Sequence, residues 1–255
     1  MTTAQVGNSQ RLAARPLAAG GTSTRTWLDA RLALPDLQLG GCPDVVVVGA
    51  HPDDETVGFG ATAHLLAEAG VRVQIVSASD GGAAFPDQSL LQRYRLERTR
   101  RAELHQAAGV LGLNAPICLG LPDGEIARHE DRLADLLTEV LATKPTGTWC
   151  AATWRGDGHP DHEAVGRAAA TAVARTGAVL VEYPVWMWHW ARPDDGAVPW
   201  HRGYRASLTP AAVERKILAA QSFQSQFVAP APDVEPVLPP FVLRRLLAVG
   251  EVVFL

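Results

Sequence analysis

The sequence predicts an α/β fold in which helices cover both faces of a mostly parallel sheet. Short runs of β-branched and apolar residues alternate with longer amphipathic segments, as expected for repeated strand–helix units. Four consecutive valines at residues 45–48 form the clearest run, and such a run is typical of a buried central strand. With 255 residues, the chain is long enough for one domain with a substantial core.

The composition is that of an ordinary globular protein. Hydrophobic residues make up 47% of the chain, and the formal net charge is −4, so no general attraction to nucleic acid or to anionic membranes is predicted. No apolar run is long enough to span a membrane, and no signal-peptide core is present. Cys42, Cys118 and Cys150 lack a Cys-x-x-Cys motif, which predicts reduced thiols and a cytoplasmic location.

Residues 1–40 are expected to form a tail and a short helix ahead of a single domain over residues 41–255. Residues 1–21 are rich in Ala, Gly, Ser and Thr and contain no acid, a bias typical of a mobile tail. Residues 24–34, which include Trp27, suit a short amphipathic helix packed on the domain.

The first predicted strand is followed at once by His51-Pro52-Asp53-Asp54-Glu55, and then a helix starts. A strand that ends in polar residues and turns into a helix is a usual ligand site in an open α/β sheet. Several carboxylates at one strand end repel one another unless a cation neutralises them.

One tight turn can direct His51 and Asp54 to a single point, and an imidazole with a carboxylate suits zinc or a similar divalent metal. Asp53, between them, can stay off the metal and act as a general base. The alternative interpretation is a helix N-cap cluster, which accounts for the carboxylates but not for His51 or Pro52.

A second polar turn lies far along the chain, where residues 148–153 form a strand-like run and a helix starts near residue 163. The turn between them contains His159-Pro160-Asp161-His162. If the two strands are neighbours, His162 can supply a third metal ligand, and His159 can donate to developing negative charge. A surface histidine without function is the alternative, but the repeated His-Pro-Asp favours a shared site.

Together, Ala50-His51-Pro52-Asp53-Asp54-Glu55 and the later His-Pro-Asp-His resemble the PIG-L (LmbE-like) family of zinc-dependent N-deacetylases, from about Val45 to the C-terminus. The resemblance implies a Rossmann-like three-layer sandwich with a mostly parallel central sheet. It also implies bound Zn²⁺, or another divalent metal such as Fe²⁺. The roles it implies are metal ligation by His51, Asp54 and His162, general base catalysis by Asp53, polarisation of the scissile carbonyl by His159, and orientation of His159 by Asp161.

One position departs from the family pattern. Some relatives have an aromatic residue immediately before the position of His159, whereas this chain has Asp157-Gly158. Stabilisation of the tetrahedral intermediate would then depend more on the metal.

The second predicted strand, residues 71–78, ends in a Ser-Asp-Gly-Gly loop at the same sheet edge as His51. Asp80 in this loop is a candidate substrate-binding residue, and an ordinary Asp-Gly turn is the alternative.

A long helix is predicted over residues 90–111, and most of its arginines are expected to face solvent. The Arg100-x-x-Glu103 spacing resembles the second helix of the family, which implies that Arg100 contacts polar groups of the substrate. Residues 116–119 are the third predicted strand. Asp123 follows at a position that binds sugar hydroxyls in the family; a plain Pro-Asp-Gly turn is the alternative.

A tryptophan-rich segment, residues 184–190, follows a predicted strand at residues 178–183. Trp188 can stack on a sugar ring, and a lid packed on the core is the alternative. Several relatives place a histidine here, which makes His189 a candidate for the same site. The remaining predicted elements are a helix over residues 130–143, a variable rim over 193–203, helices over 210–223 and 241–248, and a last strand over 251–255.

Three functions follow from these patterns. The first is removal of an N-acetyl or other N-acyl group from an amino sugar, glycoconjugate or related small metabolite; the Ala/Arg-rich composition favours a high-GC bacterium and a role in secondary metabolism. The second is a metal-dependent hydro-lyase on a polycarboxylate, which should need more arginines at the site. The third is a non-catalytic binding protein, which has no need of Asp53. No pattern in the sequence predicts an oligomeric state.

Overall fold

The computed structural model describes residues 7–229 and 234–255. Its described residues form one seven-stranded sheet. The strands are β1 (Asp44–Gly49), β2 (Arg72–Ser79), β3 (Ile117–Leu121), β4 (Trp149–Thr153), β5 (Val179–Tyr183), β6 (Gly203–Arg205) and β7 (Val252–Phe254).

Ten α-helices lie in the described part of the chain, several of them as crossovers between parallel strands. They are α1 (Asn8–Ala13), α2 (Thr24–Asp29), α3 (Asp54–Glu68), α4 (Leu90–Val110), α5 (Glu130–Ala142), α6 (Pro160–Thr176), α7 (Met187–Trp190), α8 (Pro210–Ala220), α9 (Gln224–Phe227) and α10 (Pro240–Ala248). None of the helices in these ranges combines the length and the apolar character needed to cross a bilayer.

The strand order is β3-β2-β1-β4-β5-β7-β6. The first five strands pair in parallel, and β7 pairs antiparallel with both β5 and β6. The predicted α/β fold with a mostly parallel sheet is confirmed. Because β1 pairs directly with β4, with Val48 opposite Ala152, the two polar turns that follow these strands lie side by side.

Strand β1 is buried on both faces, which explains its unbroken run of valines. Val45 and Val47 pack in one hydrophobic cluster with Phe59 of α3. Val46 and Val48 pack in another cluster, together with apolar side chains of α5 and α6. Helices therefore cover both faces of the sheet, and the strand ends remain available for a site.

The N-terminal segment differs from the prediction. Residues 7–21 were expected to belong to a mobile tail, but they contain α1 and a 3-10 turn that contact the second polar turn. Asn8 Nδ2 donates to the carbonyl oxygen of Gly156 at 2.8 Å, and Ser9 Oγ lies 3.2 Å from Glu163 Oε2. The polar and small residues that suggested a tail are used for these distant contacts. The part of the prediction that concerns residues 1–6 lies outside the described residues.

Smaller differences concern short elements. Strand β6 begins at Gly203, the last residue of the predicted rim, and was not predicted, because three residues at a sheet edge are too few to show a periodic pattern. The tryptophan-rich segment contains α7 rather than an extended loop. The helix predicted over residues 24–34 ends at Asp29, two residues before Arg31, whose φ is 44°.

Gly58 in α3 provides a test of this packing. A Cβ at Gly58 would lie 2.3 Å from the Tyr183 ring, whose hydroxyl donates to Val48 O at 2.8 Å and holds the ring in place. We expect Gly58→Ala to lower the free energy of unfolding by about 1–3 kcal/mol. Gly109→Ala in α4 is the control, because a Cβ added there would meet nothing within 4 Å. This variant should raise the free energy of unfolding by up to about 1 kcal/mol. Urea unfolding measures both, and equal stability of the two variants would contradict the packing.

Candidate metal centre

The two polar turns bring their three predicted metal ligands together. Donor atoms of His51, Asp54 and His162 all lie within 4.8 Å of one another. His162 Nε2 is 3.2 Å from Asp54 Oδ1, and His51 Nδ1 is 3.5 Å from Asp54 Oδ2. Two imidazoles and one carboxylate form a donor set that can hold a divalent metal ion.

The surroundings of His162 fit such an ion. His162 Nδ1 lies 2.8 Å from Asp157 Oδ2, and both side chains are fully buried. Its Nε2 is buried and makes no well-aligned hydrogen bond with any described residue. Burial lowers the pKa of His162, but Asp54 and Asp157 outweigh burial and raise this pKa to about 9. Because the carboxylates favour positive charge at Nε2, a divalent cation can replace the proton there.

Asp54 is held as an ionised carboxylate. Its Oδ2 accepts hydrogen bonds from the backbone amides of Ala50 at 3.0 Å and His51 at 2.9 Å, which leaves Oδ1 directed at His162. Burial alone would raise the pKa of Asp54, but His162 and His51 outweigh it and hold the pKa well below its usual value.

Asp53 has a different environment from its neighbour. Its φ of 145° is a strained conformation for a non-glycine residue, immediately before the first turn of α3. The side chain is buried and lines the cavity described below. Burial, together with the charge of Asp54, raises the pKa of Asp53 to about 8. A carboxyl group with a pKa near neutrality can both accept and return a proton.

His159 is a neutral donor beside the centre. It is the N-cap of α6, and its Nδ1 accepts a hydrogen bond from the backbone amide of Asp161 at 3.3 Å. Burial and the neighbouring His162 and His51 lower the pKa of His159 to about 3. With Nδ1 acting as the acceptor, the proton is on Nε2. The His159 ring centroid lies 4.7 Å from that of His162 and 5.1 Å from that of His51.

Asp161 was expected to orient His159, but its carboxylate contacts other groups. The carboxylate accepts from the backbone amides of Gly124 at 2.8 Å and Ile126 at 3.2 Å, and its Oδ2 lies 3.4 Å from His51 Nε2. The backbone amide of Asp161 supplies the hydrogen bond to His159. Asp161 thus holds the loop after β3 against the centre. His51, His159 and Asp161 also form a second group of donor atoms within 4.8 Å.

A cavity of about 230 Å³ borders the centre, and the candidate substrate-binding residues Arg100 and Asp123 lie in its wall. Arg100 is buried; its Nη1 donates to the carbonyl oxygen of Gly81 at 2.8 Å, and its Nε has no partner among the described residues. Asp123 Oδ2 accepts from the amide of Ala83 at 2.8 Å, while Oδ1 lies 3.0 Å from His51 Nε2. Burial opposes ionisation of Asp123, but His51 outweighs it and lowers the pKa of Asp123.

Three other predicted substrate contacts lie outside the cavity. Asp80 is paired with Arg101. Trp188 is buried and packs edge-on against Trp27, with ring centroids 4.9 Å apart. His189 is also buried, with Nε2 bonded to Arg15 O at 2.9 Å. Contrary to expectation, none of the three lines the cavity beside the metal centre. Asp80 forms an ion pair with Arg101 of α4 instead, and α7 directs the side chains of Trp188 and His189 into the core.

Asp157 and Trp186 are two residues of the site whose positions the sequence patterns did not predict. Asp157 accepts hydrogen bonds from the backbone amides of Val185 at 2.8 Å, Trp186 at 2.9 Å and Met187 at 3.0 Å, besides its contact with His162. Trp186 lines the cavity, unlike its neighbours in α7. A carboxylate five residues before a candidate ligand histidine is a signal that could have identified Asp157.

Residues 46–173 match the family model described as PIG-L: GlcNAc-PI de-N-acetylase. This range is half of the chain and contains both polar turns. The chain is 30% identical to a probable N-acetyl-alpha-D-glucosaminyl L-malate deacetylase 2 of Bacillus cereus, an alignment that covers 51% of this chain and 61% of the relative. The chain spans about half to three fifths of the length of the curated relatives it matches.

Solved structures support the fold. The N,N'-diacetylchitobiose deacetylase from Pyrococcus horikoshii superposes with a TM-score of 0.60 at 24% identity, covering 80% of this chain and 77% of that one. GalB, the 4-carboxy-2-hydroxymuconate hydratase of Pseudomonas putida KT2440, gives a TM-score of 0.53 at 20% identity, covering 72% of this chain and 80% of that one. At these identities the likeness shows the shared fold alone.

The Asp157–His162 contact gives a prediction about metal affinity. Asp157→Asn keeps an oxygen for the amides of residues 185–187 but removes the negative charge that supports His162. We expect the affinity for Zn²⁺ to fall about 10- to 100-fold, as measured by competition with a chelator. Asp131→Asn, an exposed carboxylate in the first turn of α5, is the matched control and should bind zinc as the unmodified protein does. Equal affinities of the two variants would show that Asp157 does not support the ligand.

Proposed function

The chain belongs to the PIG-L family, and on this basis we propose that it is a metal-dependent hydrolase that removes an N-acetyl or other N-acyl group. The substrate would be an amino sugar, a glycoconjugate or a related small metabolite. The observation that carries the proposal is the convergence of His51, Asp54 and His162 beside one cavity that Asp53 and His159 also line.

We propose zinc as the metal, held by His51, Asp54 and His162; Fe²⁺ suits the same ligands. Such an ion supplies Lewis acidity toward a carbonyl oxygen and lowers the pKa of a water molecule. The buried Nε2 of His162 and the ionised Asp54 support this assignment, because both need positive charge near them.

Asp53 is proposed as the general base. It takes a proton from the attacking water and returns it to the leaving amine as the C–N bond of the amide breaks, so that a carboxylic acid and an amine are released. Its burial and its position at the cavity support this role, since a buried carboxyl group favours gaining a proton.

His159 is proposed to stabilise the oxyanion. A neutral imidazole with its proton on Nε2 can donate to negative charge that develops on the carbonyl oxygen. Arg100 and Asp123 are proposed to bind polar groups of the substrate, since both lie in the cavity wall and carry opposite charges.

The hydro-lyase and the non-catalytic binding protein are weaker alternatives. A polycarboxylate requires several cationic side chains, and Arg100 is the one arginine that lines the cavity among the described residues. A binding protein has no need of a carboxyl group with the raised pKa of Asp53. The proposal also includes a bacterial origin, which rests on the Ala/Arg-rich composition. It includes a cytoplasmic location as well, and the free thiols of Cys42, Cys118 and Cys150 support that location.

The proposed reaction can be tested by acetate release from N-acetyl amino sugars and glycoconjugates with zinc-loaded protein. Asp53→Asn should retain zinc and lose at least about 100-fold in turnover, because it removes the general base. Asp80→Asn, at a nearby carboxylate outside the cavity, is the matched control and should keep most of the activity. Full activity of Asp53→Asn would exclude Asp53 as the base. Water addition to an unsaturated polycarboxylate, without acetate release, would favour the hydro-lyase.

A further inference from the structure

A second cavity, of about 240 Å³, adjoins the one at the metal centre, and the two share His159 and Trp186. Its remaining wall comes from one end of α1 and the turn that follows it. We call this cavity the N-terminal groove. The residues of that wall are Leu12, Ala13, Arg15, Pro16 and Leu17.

The N-terminal segment is fixed in this position by contacts at several points. Arg11 forms an ion pair with Asp195 at 2.9 Å, in addition to the bonds of Asn8 and Ser9 to the second polar turn. The carbonyl oxygen of Arg15 contacts the buried His189 at 2.9 Å. The wall lies outside residues 46–173, which match the family model, so it is a feature of this chain beyond the matched region.

The metal-centre cavity also adjoins a third cavity, of about 290 Å³, with which it shares a different pair of residues, Ala83 and Asp123. Four of the nine residues that line this cavity are charged, and Tyr94 supplies an aromatic ring. Its charged residues are Arg93, Glu97, Asp123 and Glu125. The continuous cleft therefore has an apolar end, a catalytic middle and a polar end.

This polarity orients an N-acyl amino sugar. Sugar hydroxyls find hydrogen-bonding partners at the polar end, beyond Asp123. The carbonyl oxygen lies next to His159 in the proposed reaction, and the acyl group then points toward the groove that His159 and Trp186 border. An acetyl group ends at the metal-centre cavity, whereas a longer alkyl chain continues past Trp186 and is removed from water.

We propose that the substrate carries an N-acyl chain longer than acetyl and that this chain binds in the N-terminal groove. The inference rests on the proposed amide hydrolysis, in which water adds to the acyl carbon and the amine leaves with a proton. An apolar group attached to the sugar itself would not reach the N-terminal groove, because the sugar side of the cleft faces charged residues.

The first experiment compares kcat/KM for N-acetyl-, N-butanoyl-, N-hexanoyl- and N-octanoylglucosamine with zinc-loaded protein. Each methylene group buried in the groove should raise kcat/KM about fourfold. The octanoyl compound should therefore exceed the acetyl compound at least tenfold. A preference for acetyl over the longer chains would overturn the proposal, as would a stronger preference for octyl N-acetylglucosaminide than for the octanoyl amide.

Two adjacent alanines supply a matched pair of variants. Ala13 and Ala14 are both exposed at the end of α1, but only Ala13 belongs to the wall of the groove. We expect Ala13→Trp to fill the groove and lower the octanoyl-to-acetyl ratio of kcat/KM at least tenfold. Ala14→Trp should leave that ratio unchanged, and equal ratios in the two variants would overturn the proposal.

A binding measurement separates failure of this proposal from failure of the proposed reaction. Calorimetry with zinc-loaded protein should show octanoate binding at least tenfold more tightly than acetate, and Ala13→Trp should abolish the difference. Absence of amine release from every amide would refute the hydrolase, while octanoate binding would still establish the groove. Equal affinities for octanoate and acetate would refute the groove even if N-acetylglucosamine were cleaved.

Discussion

The buried carboxylate of Asp157 is the group on which the geometry of the metal centre depends. One of its oxygens contacts His162, and the same carboxylate accepts three backbone amides of residues 185–187. The orientation of His162, a candidate metal ligand, and the position of the cavity wall that contains Trp186 are thus fixed by a single side chain. Because β5 leads directly into that wall, the contact also connects the two neighbouring strand ends. If either strand end shifted, the buried carboxylate of Asp157 would lose hydrogen-bonding partners, and an unpaired buried charge is costly.

Adjacent carboxyl groups in the first polar turn are given different properties by what surrounds them. Asp54 faces two imidazoles and two backbone amides, and its pKa falls. Asp53 faces the cavity under strained backbone geometry, and its pKa rises to about 8. Separation of the pKa values of neighbouring acids is a common way for one site to contain both an anionic ligand and a proton carrier. The backbone conformation at Asp53 is what allows two consecutive residues to have such different surroundings.

The parts of the site that were predictable from the sequence are local. Each polar turn is a short run of residues, and the buried valines of residues 45–48 identify the strand that places one turn beside the other. What could not be predicted depends on contacts between distant positions. Asp157 looked like a departure from a pattern because its amide partners lie near residue 186. Trp188 looked like a ligand-stacking residue because a sequence does not show that its ring packs against Trp27 in the core. The polar residues of the N-terminal segment looked like a tail because their partners are about 150 residues away.

The position of the N-terminal segment affects the order in which parts of the protein fold during synthesis. Asn8 bonds to Gly156, and the carbonyl oxygen of Gly20 accepts from Arg245, so these two residues must wait for partners that are synthesised 148 and 225 residues later. Contacts of such long sequence separation form slowly, because the intervening chain must first be ordered. On the ribosome, the two histidine turns can therefore assemble before the N-terminal segment docks. The nascent chain would then pass through a stage in which the candidate metal centre is formed but the N-terminal wall of the groove is absent, so that the apolar surface is accessible to chaperones and proteases.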